Sequence, residues 1–307
     1  MLLAVGVGLG LVLYAHRRRK CRLGGLDSAV SFSSRLVAAA RAAESEREDA
    51  LFVDPFAAVF AGEEALRRVA ARGGKLDGRI AVRTKFFDDA LLAALRRTPG
   101  AQVVLLGAGL DSRAWRLSPP DGGPKCSRLV EVDRADVLGC KGQLLSDLPG
   151  GLPRLTLSAC YIAVACDLTR AWDCVKHITN GGHTATEPTV WLLEGLLYYL
   201  PQWSVDALLR ALSIVSAPGS TLVASCVNTA GMRRAQNNSK SEAMRSFQSA
   251  VDDPAVYFSQ RGWRVIQAVR PGDPECSFGG RHAAPEHPAT ETSKPATFYV
   301  VATRAEQ

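Results

Sequence analysis

An apolar strand that ends in glycines constrains the fold of this chain more than any other feature of its sequence. Val103–Leu106 contains only valine and leucine, and it leads directly into Gly107-Ala108-Gly109. A buried parallel strand that ends in glycines lets the backbone turn sharply and leaves no side chain between it and a ligand. Such a turn is typical of the first βα unit of a Rossmann-like fold, where nucleotides bind. The dinucleotide fingerprint continues to a third glycine, but here Asp111-Ser112 follows, so the turn alone also fits an ordinary strand-to-helix connection.

Strands and helical segments alternate after Pro99, and this alternation predicts a doubly wound, mostly parallel sheet. The last two strands are joined by a segment rich in proline and glycine without a convincing helix, so they should pair antiparallel. The expected fold class is therefore α/β, a Rossmann-like seven-stranded sheet with an antiparallel terminal hairpin. The predicted strands are 103–106, 128–133, 161–167, 189–194, 220–225, 263–269 and 298–303.

Helical character dominates residues 28–97, before the sheet begins. Within this part, Asp54 is expected to cap a helix, with Pro55 as its first residue. Two stretches of low complexity, 233–246 and 271–296, are expected to form surface loops.

Acidic residues end three of the first four predicted strands. Ligands of an open α/β sheet bind at the carboxyl ends of its strands, so Asp133, Asp167 and Glu194 are candidate binding residues. Asp133 can accept hydrogen bonds from both hydroxyls of a ribose, although a solvated acid would also fit this position. Asp167 suits an adenine amino group, with Leu168 as an apolar contact for the ring, but it equally suits the start of a helix.

Glu194 ends an apolar strand, and a buried carboxylate in such a setting needs a partner. A sulfonium or ammonium ligand would supply one. Arg83, on the predicted helix before the first strand, is the cation to consider with it. Its planar guanidinium fits the carboxylate of an amino-acid cofactor, although an ordinary surface arginine would also explain it.

The charge and cysteine content exclude several classes of function. The net charge is +7, but five positive charges lie within 17–22, so the rest of the chain carries only +2. No basic stripe interleaved with aromatic residues occurs there, and nucleic-acid binding is therefore not expected. The eight cysteines form no Cys-x-x-Cys pair, and the five histidines are scattered, so the sequence predicts neither a metal site nor a disulfide framework.

The N-terminus is apolar over Leu2–Ala15 and basic over His16–Arg22. The apolar run spans roughly 21 Å as a helix, which is short of the ~30 Å hydrocarbon core. Three interpretations stay open: a short membrane anchor held by the basic cluster on the cytosolic side, a targeting segment for a mitochondrion or chloroplast, or a buried helix. The cysteine usage agrees with an intracellular, reducing compartment for the body of the chain.

Several motifs, taken together and in order, resemble the leucine carboxyl methyltransferase-like superfamily of S-adenosylmethionine enzymes, and in particular its bacterial and plant branch. The resemblance covers about 35–303. It rests on Ala42-Ala-Glu-Ser-Glu46, Asp54-Pro-Phe-Ala57, Arg83-Thr-Lys-Phe-Phe-Asp-Asp89, Leu106-Gly-Ala-Gly-Leu-Asp-Ser-Arg113, Glu131-Val-Asp133, Asp167-Leu168, Trp191-Leu-Leu-Glu-Gly-Leu-Leu197 and Gly262-Trp263.

This resemblance implies a class I methyltransferase sheet with a helical N-terminal extension over S-adenosyl-L-methionine. Together with the N-terminal composition, it predicts an anchor or targeting segment at 1–25, a helical cap at 26–100 and a cofactor-binding core at 101–307. The family's lysine from the N-terminal extension has no clear counterpart, and Arg35 or Arg41 would have to replace it.

The resemblance also implies roles for individual residues. Arg83 would hold the methionine carboxylate of the cofactor, Glu194 would lie beside its amino group or methyl centre, and Gly107 would lie against it. To these we add Gly109, from its place in the same turn. At the nucleoside end, Asp133 would bind the ribose hydroxyls, and Asp167-Leu168 would contact the adenine.

Carboxyl O-methylation is the predicted reaction, on a small molecule or a chain terminus. A carboxylate is already ionised at neutral pH and needs no general base, and the sequence offers no clear base. Two alternatives stay open: an NAD-dependent oxidoreductase, which would share the glycine turn, and a non-catalytic cofactor-binding or scaffold protein. The sequence does not indicate the oligomeric state.

Overall fold

The seven strands form one sheet in a computed structural model that describes residues 29–71, 78–119, 122–123 and 125–305. The strand order is β3-β2-β1-β4-β5-β7-β6, with β1 to β5 parallel and β7 antiparallel to both β5 and β6. The predicted fold class and the antiparallel end are therefore confirmed. The strands are β1 Gln102–Leu106, β2 Leu129–Asp133, β3 Tyr161–Ala165, β4 Thr189–Leu193, β5 Thr221–Val227, β6 Trp263–Val269 and β7 Thr297–Arg304.

Ten α-helices accompany the sheet within the described residues, and two short 3-10 turns lie at Leu197–Tyr199 and Pro274–Cys276. The first three helices precede β1, and most of the others connect one strand to the next. They are α1 Ala29–Ser45, α2 Ala57–Ala70, α3 Arg79–Arg97, α4 Arg113–Arg116, α5 Ala135–Ser146, α6 Ala171–Asn180, α7 Gln202–Ile214, α8 Thr229–Asn238, α9 Glu242–Arg245 and α10 Pro254–Ser259.

Each face of the sheet buries alternate residues of its strands, as the pleat requires. Val103 and Leu105 of β1 join a core with helices α1 to α3, whereas Val104 and Leu106 join a second core with α6 and α7. Residues of β1, β4 and β5 are buried on both faces, which explains their continuous apolar sequence. The helical part before the sheet therefore shares one hydrophobic core with the sheet itself.

Asp54 does not cap α2, and that prediction was wrong. The helix begins at Ala57, two residues beyond Pro55, with Phe56 in the capping position. The Asp54 carboxylate accepts a hydrogen bond from the Phe56 N–H at 3.1 Å, but it is buried and ion-paired with Arg41 at 2.8 Å. A buried salt bridge, which a local sequence pattern does not reveal, determines the position of this side chain.

The segment 233–246, expected as a surface loop, lies largely in α8 and α9. Asn228 caps α8 by accepting the N–H of Gly231 at 2.8 Å. Phe247 and Ala235 bury apolar surface against Tyr198, and this packing fixes the segment despite its polar composition.

The predicted anchor at 2–15 lies outside the described residues. Within the residues that the structure describes, every helix is too short or too polar to cross a membrane.

Candidate functional site

A cavity of about 510 Å³ opens at the carboxyl ends of strands β1 to β4. The loops after these strands form its floor, and residues of α1 and α3 form its opposite wall. All seven residues selected from the sequence line it, namely Arg83, Gly107, Gly109, Asp133, Asp167, Leu168 and Glu194. The carboxyl edge of the sheet thus brings together residues that are as much as 111 positions apart in the chain.

The glycine turn after β1 has a backbone that favours glycine. Gly107 has φ +68° and Gly109 has φ +51°, both in the left-handed region. A Cβ atom on Gly107 would lie 2.9 Å from Cδ1 of Leu196, closer than carbon atoms normally approach. The absence of this Cβ therefore allows Leu196 to pack directly against the turn.

Asp133 is tied to this turn by a short hydrogen bond. Its Oδ2 accepts the N–H of Gly109 at 2.6 Å, and its Oδ1 accepts the N–H of Arg134 at 2.7 Å. Burial raises the pKa of Asp133, and these two backbone donors oppose the rise. Each carboxylate oxygen keeps a lone pair for a further donor.

Asp167 and Leu168 lie on the cavity wall after β3. Asp167 is exposed, and its Oδ1 accepts the N–H and the hydroxyl of Thr169 at 3.0 and 2.8 Å. These hydrogen bonds lower the pKa of Asp167. The helix α6 begins only at Ala171, so Asp167 forms a local turn rather than a helix cap. Leu168 is buried and offers an apolar surface.

Glu194 and Arg83 meet at the cavity, as the sequence-based roles require. Arg83 Nε donates to Glu194 Oε1 at 2.8 Å, and Arg113 Nη2 donates to Glu194 Oε2 at 2.7 Å. The protein therefore supplies the cationic partners that were expected from a ligand. Burial alone would raise the pKa of Glu194, but the charges of Arg113 and Arg83 hold it below its usual value.

Arg113 belongs to a buried ion network that no sequence pattern indicated. Besides Glu194, it pairs with Asp88 of α3 at 2.6 Å and with Asp111 of the glycine turn. Burial opposes ionisation of Asp111, but Arg113 and other nearby cations lower its pKa to about 2. The turn after β1, the helix α3 and the end of β4 are thus joined by charge-assisted hydrogen bonds.

The network continues toward α1. Arg116 donates to both oxygens of Asp88, at 2.7 and 3.0 Å, and lies 3.6 Å from Asp54. Asp54 accepts hydrogen bonds from Arg41 at 2.8 Å and from the hydroxyl of Ser112 at 2.6 Å. The four arginines and four acids of this network balance in charge, which allows the whole group to be buried.

The two candidates for the missing lysine differ in position. Arg41 lines the cavity, where its Nη2 donates to the carbonyl of Leu110 at 2.6 Å. Arg35 donates instead to the carbonyl of Ala61 at 3.4 Å, within the packing of α1 against α2. Of the two, only Arg41 is placed at the cavity, and its guanidinium supports the glycine turn.

An aromatic cluster forms the wall beyond Glu194. Tyr198 and Tyr199 line the cavity, and Phe247 packs against both rings, at centroid distances of 4.3 and 5.2 Å. The Tyr198 hydroxyl lies 3.4 Å from Arg83 Nη1. No histidine or lysine of the described chain lines this cavity, and no group of acids, cysteines or histidines in the described parts is arranged to hold a metal ion.

Known proteins resemble this chain over most of its length. The family model for leucine carboxyl methyltransferase matches residues 34–213. The chain belongs to the leucine carboxyl methyltransferase family. A relative from Streptomyces avermitilis, named as an S-adenosyl-L-methionine-dependent methyltransferase, is 38% identical over 244 residues, which are 75% of this chain and 81% of that protein. A relative from Parafrankia with the same kind of name is 44% identical over 192 residues, which are 59% of this chain and 58% of that protein.

The fold has a counterpart among solved structures. A crystal structure of a DUF574 family protein from Streptomyces avermitilis superposes with a TM-score of 0.55 at 13% identity, covering 86% of this chain and 99% of that one. Membership of the family confirms the expectations of a methyltransferase and of S-adenosyl-L-methionine as its cofactor. Family membership therefore favours S-adenosyl-L-methionine over NAD, with which the glycine turn alone is also compatible.

The cavity of this methyltransferase fits such a cofactor on its own geometry. Gly107 lines the cavity with backbone alone, Asp133 keeps two lone pairs, and Glu194 presents a carboxylate. S-adenosylmethionine combines a ribose, an ammonium group and a carboxylate. Their binding requires a hydrogen-bond acceptor, an anion and a cation, respectively. The residues that the structure gathers here include all three.

Proposed function

We propose that this chain transfers the methyl group of S-adenosylmethionine to a carboxylate oxygen, on a small molecule or a chain terminus. The observation that carries the proposal is the set of titratable side chains along the described cavity lining. Neither histidine nor lysine occurs there, and Glu194 is held ionised by two arginines with a lowered pKa, which makes it a poor base. An acceptor that is already ionised needs no base.

We further propose that Arg83 and Glu194 bind the amino-acid end of the cofactor. Arg83 Nε donates to Glu194, and its Nη2 has no partner among the described residues, so it keeps donors for the methionine carboxylate. Glu194 uses one lone pair of each oxygen, and the remaining ones can accept the ammonium group. Gly107 and Gly109 allow the close approach of the cofactor between these two ends.

At the nucleoside end, Asp133 would accept the ribose hydroxyls on the lone pairs left by its two backbone donors. Asp167 would accept the adenine amino group on Oδ2, since its Oδ1 is engaged by Thr169. Leu168 would cover the adenine ring. Methyl transfer disperses the positive charge of the sulfonium, so the protein accelerates it by orienting the two reactants and excluding water.

The experiment incubates the full chain with methyl-tritiated S-adenosylmethionine and pools of carboxylic acids or of peptides with free C-termini. Carboxyl methyl esters hydrolyse in mild alkali and release volatile tritiated methanol, whereas N-methyl groups and methyl ethers do not. We expect alkali-labile label that Arg83→Gln strongly reduces. Label that stays in the acceptor after alkali contradicts carboxyl O-methylation but not methyl transfer.

We also propose that the chain comprises an anchor or targeting segment at 1–25, a cap at 26–100 and a catalytic core at 101–307. The apolar and basic composition of the first segment supports membrane association or import into an organelle. Carbonate extraction of cells that express the full chain tests the anchor. Recovery of the intact chain in the carbonate-soluble fraction contradicts it.

A further inference from the structure

Arg113 joins three separate segments beneath the cavity. It is the first residue of α4, and its side chain is 2% exposed. Its Nε donates to Asp88 of α3 at 2.6 Å, its Nη2 donates to Glu194 at 2.7 Å, and its Nη1 donates to Asp111. Since each nitrogen is engaged by a carboxylate, Arg113 has little capacity left for a ligand.

Arg83 differs from Arg113 in this respect. It shares the carboxylate of Glu194, but only its Nε makes a short contact, at 2.8 Å, and its Nη1 lies 3.4 Å from the hydroxyl of Tyr198. Its Nη2 has no hydrogen-bond partner among the described residues, and the side chain lines the cavity. Arg83 therefore presents unused N–H groups to a ligand because Glu194 binds it through one oxygen alone.

This one-oxygen contact needs an explanation, since an arginine and a carboxylate frequently pair through two parallel hydrogen bonds. A two-point pair would engage two nitrogens of Arg83 and cover the donors that now face the cavity. In the structure, Oε2 of Glu194 is instead turned to Arg113, at 2.7 Å. Arg113 is itself held by Asp88 and Asp111, so its guanidinium does not follow Glu194.

We propose that Arg113 is a positioning residue for cofactor recognition. By holding Oε2 of Glu194, it keeps the Glu194–Arg83 contact to one oxygen and leaves the remaining donors of Arg83 for the carboxylate of the methionine moiety. The inference rests on the proposed contact between Arg83 and that carboxylate. It predicts that loss of Arg113 weakens recognition of the amino-acid end and spares the nucleoside end.

Two nucleosides separate these ends in a calorimetric titration of the full chain. S-adenosylhomocysteine carries the amino-acid end, and 5′-methylthioadenosine keeps the adenosine and the thioether without it. For Arg113→Gln we expect the dissociation constant of S-adenosylhomocysteine to rise about 10- to 100-fold, the range for one charged hydrogen bond, and that of 5′-methylthioadenosine to change less than about threefold. Arg113→Lys keeps one positive charge near Glu194 and should show a smaller loss.

Arg116→Gln is the matched control. Arg116 is equally buried, at 4% exposed, and binds the same Asp88, but it makes no contact with Glu194. This variant should lower the stability of the protein yet leave the ratio of the two dissociation constants unchanged.

If Arg113→Gln weakens the binding of both nucleosides equally, the proposal is overturned. It is also overturned if Arg116→Gln changes the ratio of the two dissociation constants as much as Arg113→Gln does. If Arg113→Gln does not fold, Arg113→Lys provides the test. A ratio of the two dissociation constants that is unchanged in Arg113→Lys also overturns the proposal. An unaltered chain that binds 5′-methylthioadenosine but not S-adenosylhomocysteine contradicts the role of Arg83 itself. The two failures are therefore distinguishable.

Discussion

Asp54 offers the sharpest test of the buried ion network that joins α1 to the glycine turn. Its side chain is fully buried and lies 2.8 Å from Arg41 and 3.6 Å from Arg116. Asp54→Ala leaves Arg41 without an anionic partner, and removal of one member of a buried ion pair costs about 3–5 kcal/mol. A chain of this size unfolds with an entropy of about 2 cal/mol/K per residue, so the thermal midpoint should fall by roughly 5–8 °C.

The pH dependence adds a second signature. Burial alone would raise the pKa of Asp54, but the charges of Arg41 and Arg116, together with hydrogen bonds from Ser112 and Arg41, hold it below its usual value. A carboxyl whose pKa is lowered on folding stabilises the protein above the unfolded pKa of about 3.9 and loses this contribution as the pH falls through the folded pKa. The difference in thermal stability between the wild-type chain and Asp54→Ala should therefore be largest near neutral pH and decrease in acid.

Differential scanning calorimetry measures both effects, and Asp49→Ala supplies the control. Asp49 is also paired with arginines, Arg47 and Arg281, but its side chain is 69% exposed. Exposed pairs of this kind contribute little to stability. If the two variants shift the midpoint equally, or if the Asp54 effect does not change with pH, the assignment of Asp54 as an ionised buried partner is wrong.

Three further outcomes follow from the site and the core. Gly107→Ala, which forces a side chain to φ +68° and toward Leu196, should destabilise the chain by roughly 1–2 kcal/mol and weaken cofactor binding in calorimetry. Cys166 lines the cavity, so S-adenosylhomocysteine should protect it from alkylation by N-ethylmaleimide in mass spectrometry, whereas exposed Cys160 should react regardless. Burial lowers the pKa of His183 to about 4, so the free energy of unfolding should decrease from pH 6.5 toward pH 4. In His183→Gln this decrease, measured by chemical denaturation, should be smaller by on the order of 3 kcal/mol.

The sheet could be predicted from the sequence because its signals are local. A strand buried on both faces reads as an apolar run, and residues at strand ends meet at one edge of a parallel sheet. These signals are sufficient to predict from the sequence that Asp133, Asp167 and Glu194 line one cavity.

The ion network could not be predicted, because its pairs are distant in sequence. Arg113 meets Asp88 across 25 positions and Glu194 across 81. Its sequence neighbourhood marks a family motif, but the motif does not say which acids the guanidinium contacts. The partner of Asp54 could not be predicted for the same reason. Asp-Pro is a frequent helix start, and only the structure shows that Arg41, 13 positions away, is the ion-pair partner.

Calorimetric titration of the full chain with S-adenosylmethionine tests the central claim most directly, with Asp133→Ala as the site variant and Asp173→Ala as the control. Asp133 lines the cavity, whereas Asp173 is a half-exposed acid of α6 that pairs with Arg170 away from it. We expect the wild-type chain and Asp173→Ala to bind in the micromolar range and Asp133→Ala to bind at least about tenfold more weakly. A folded wild-type chain that does not bind S-adenosylmethionine, or that binds NAD in its place, contradicts the account.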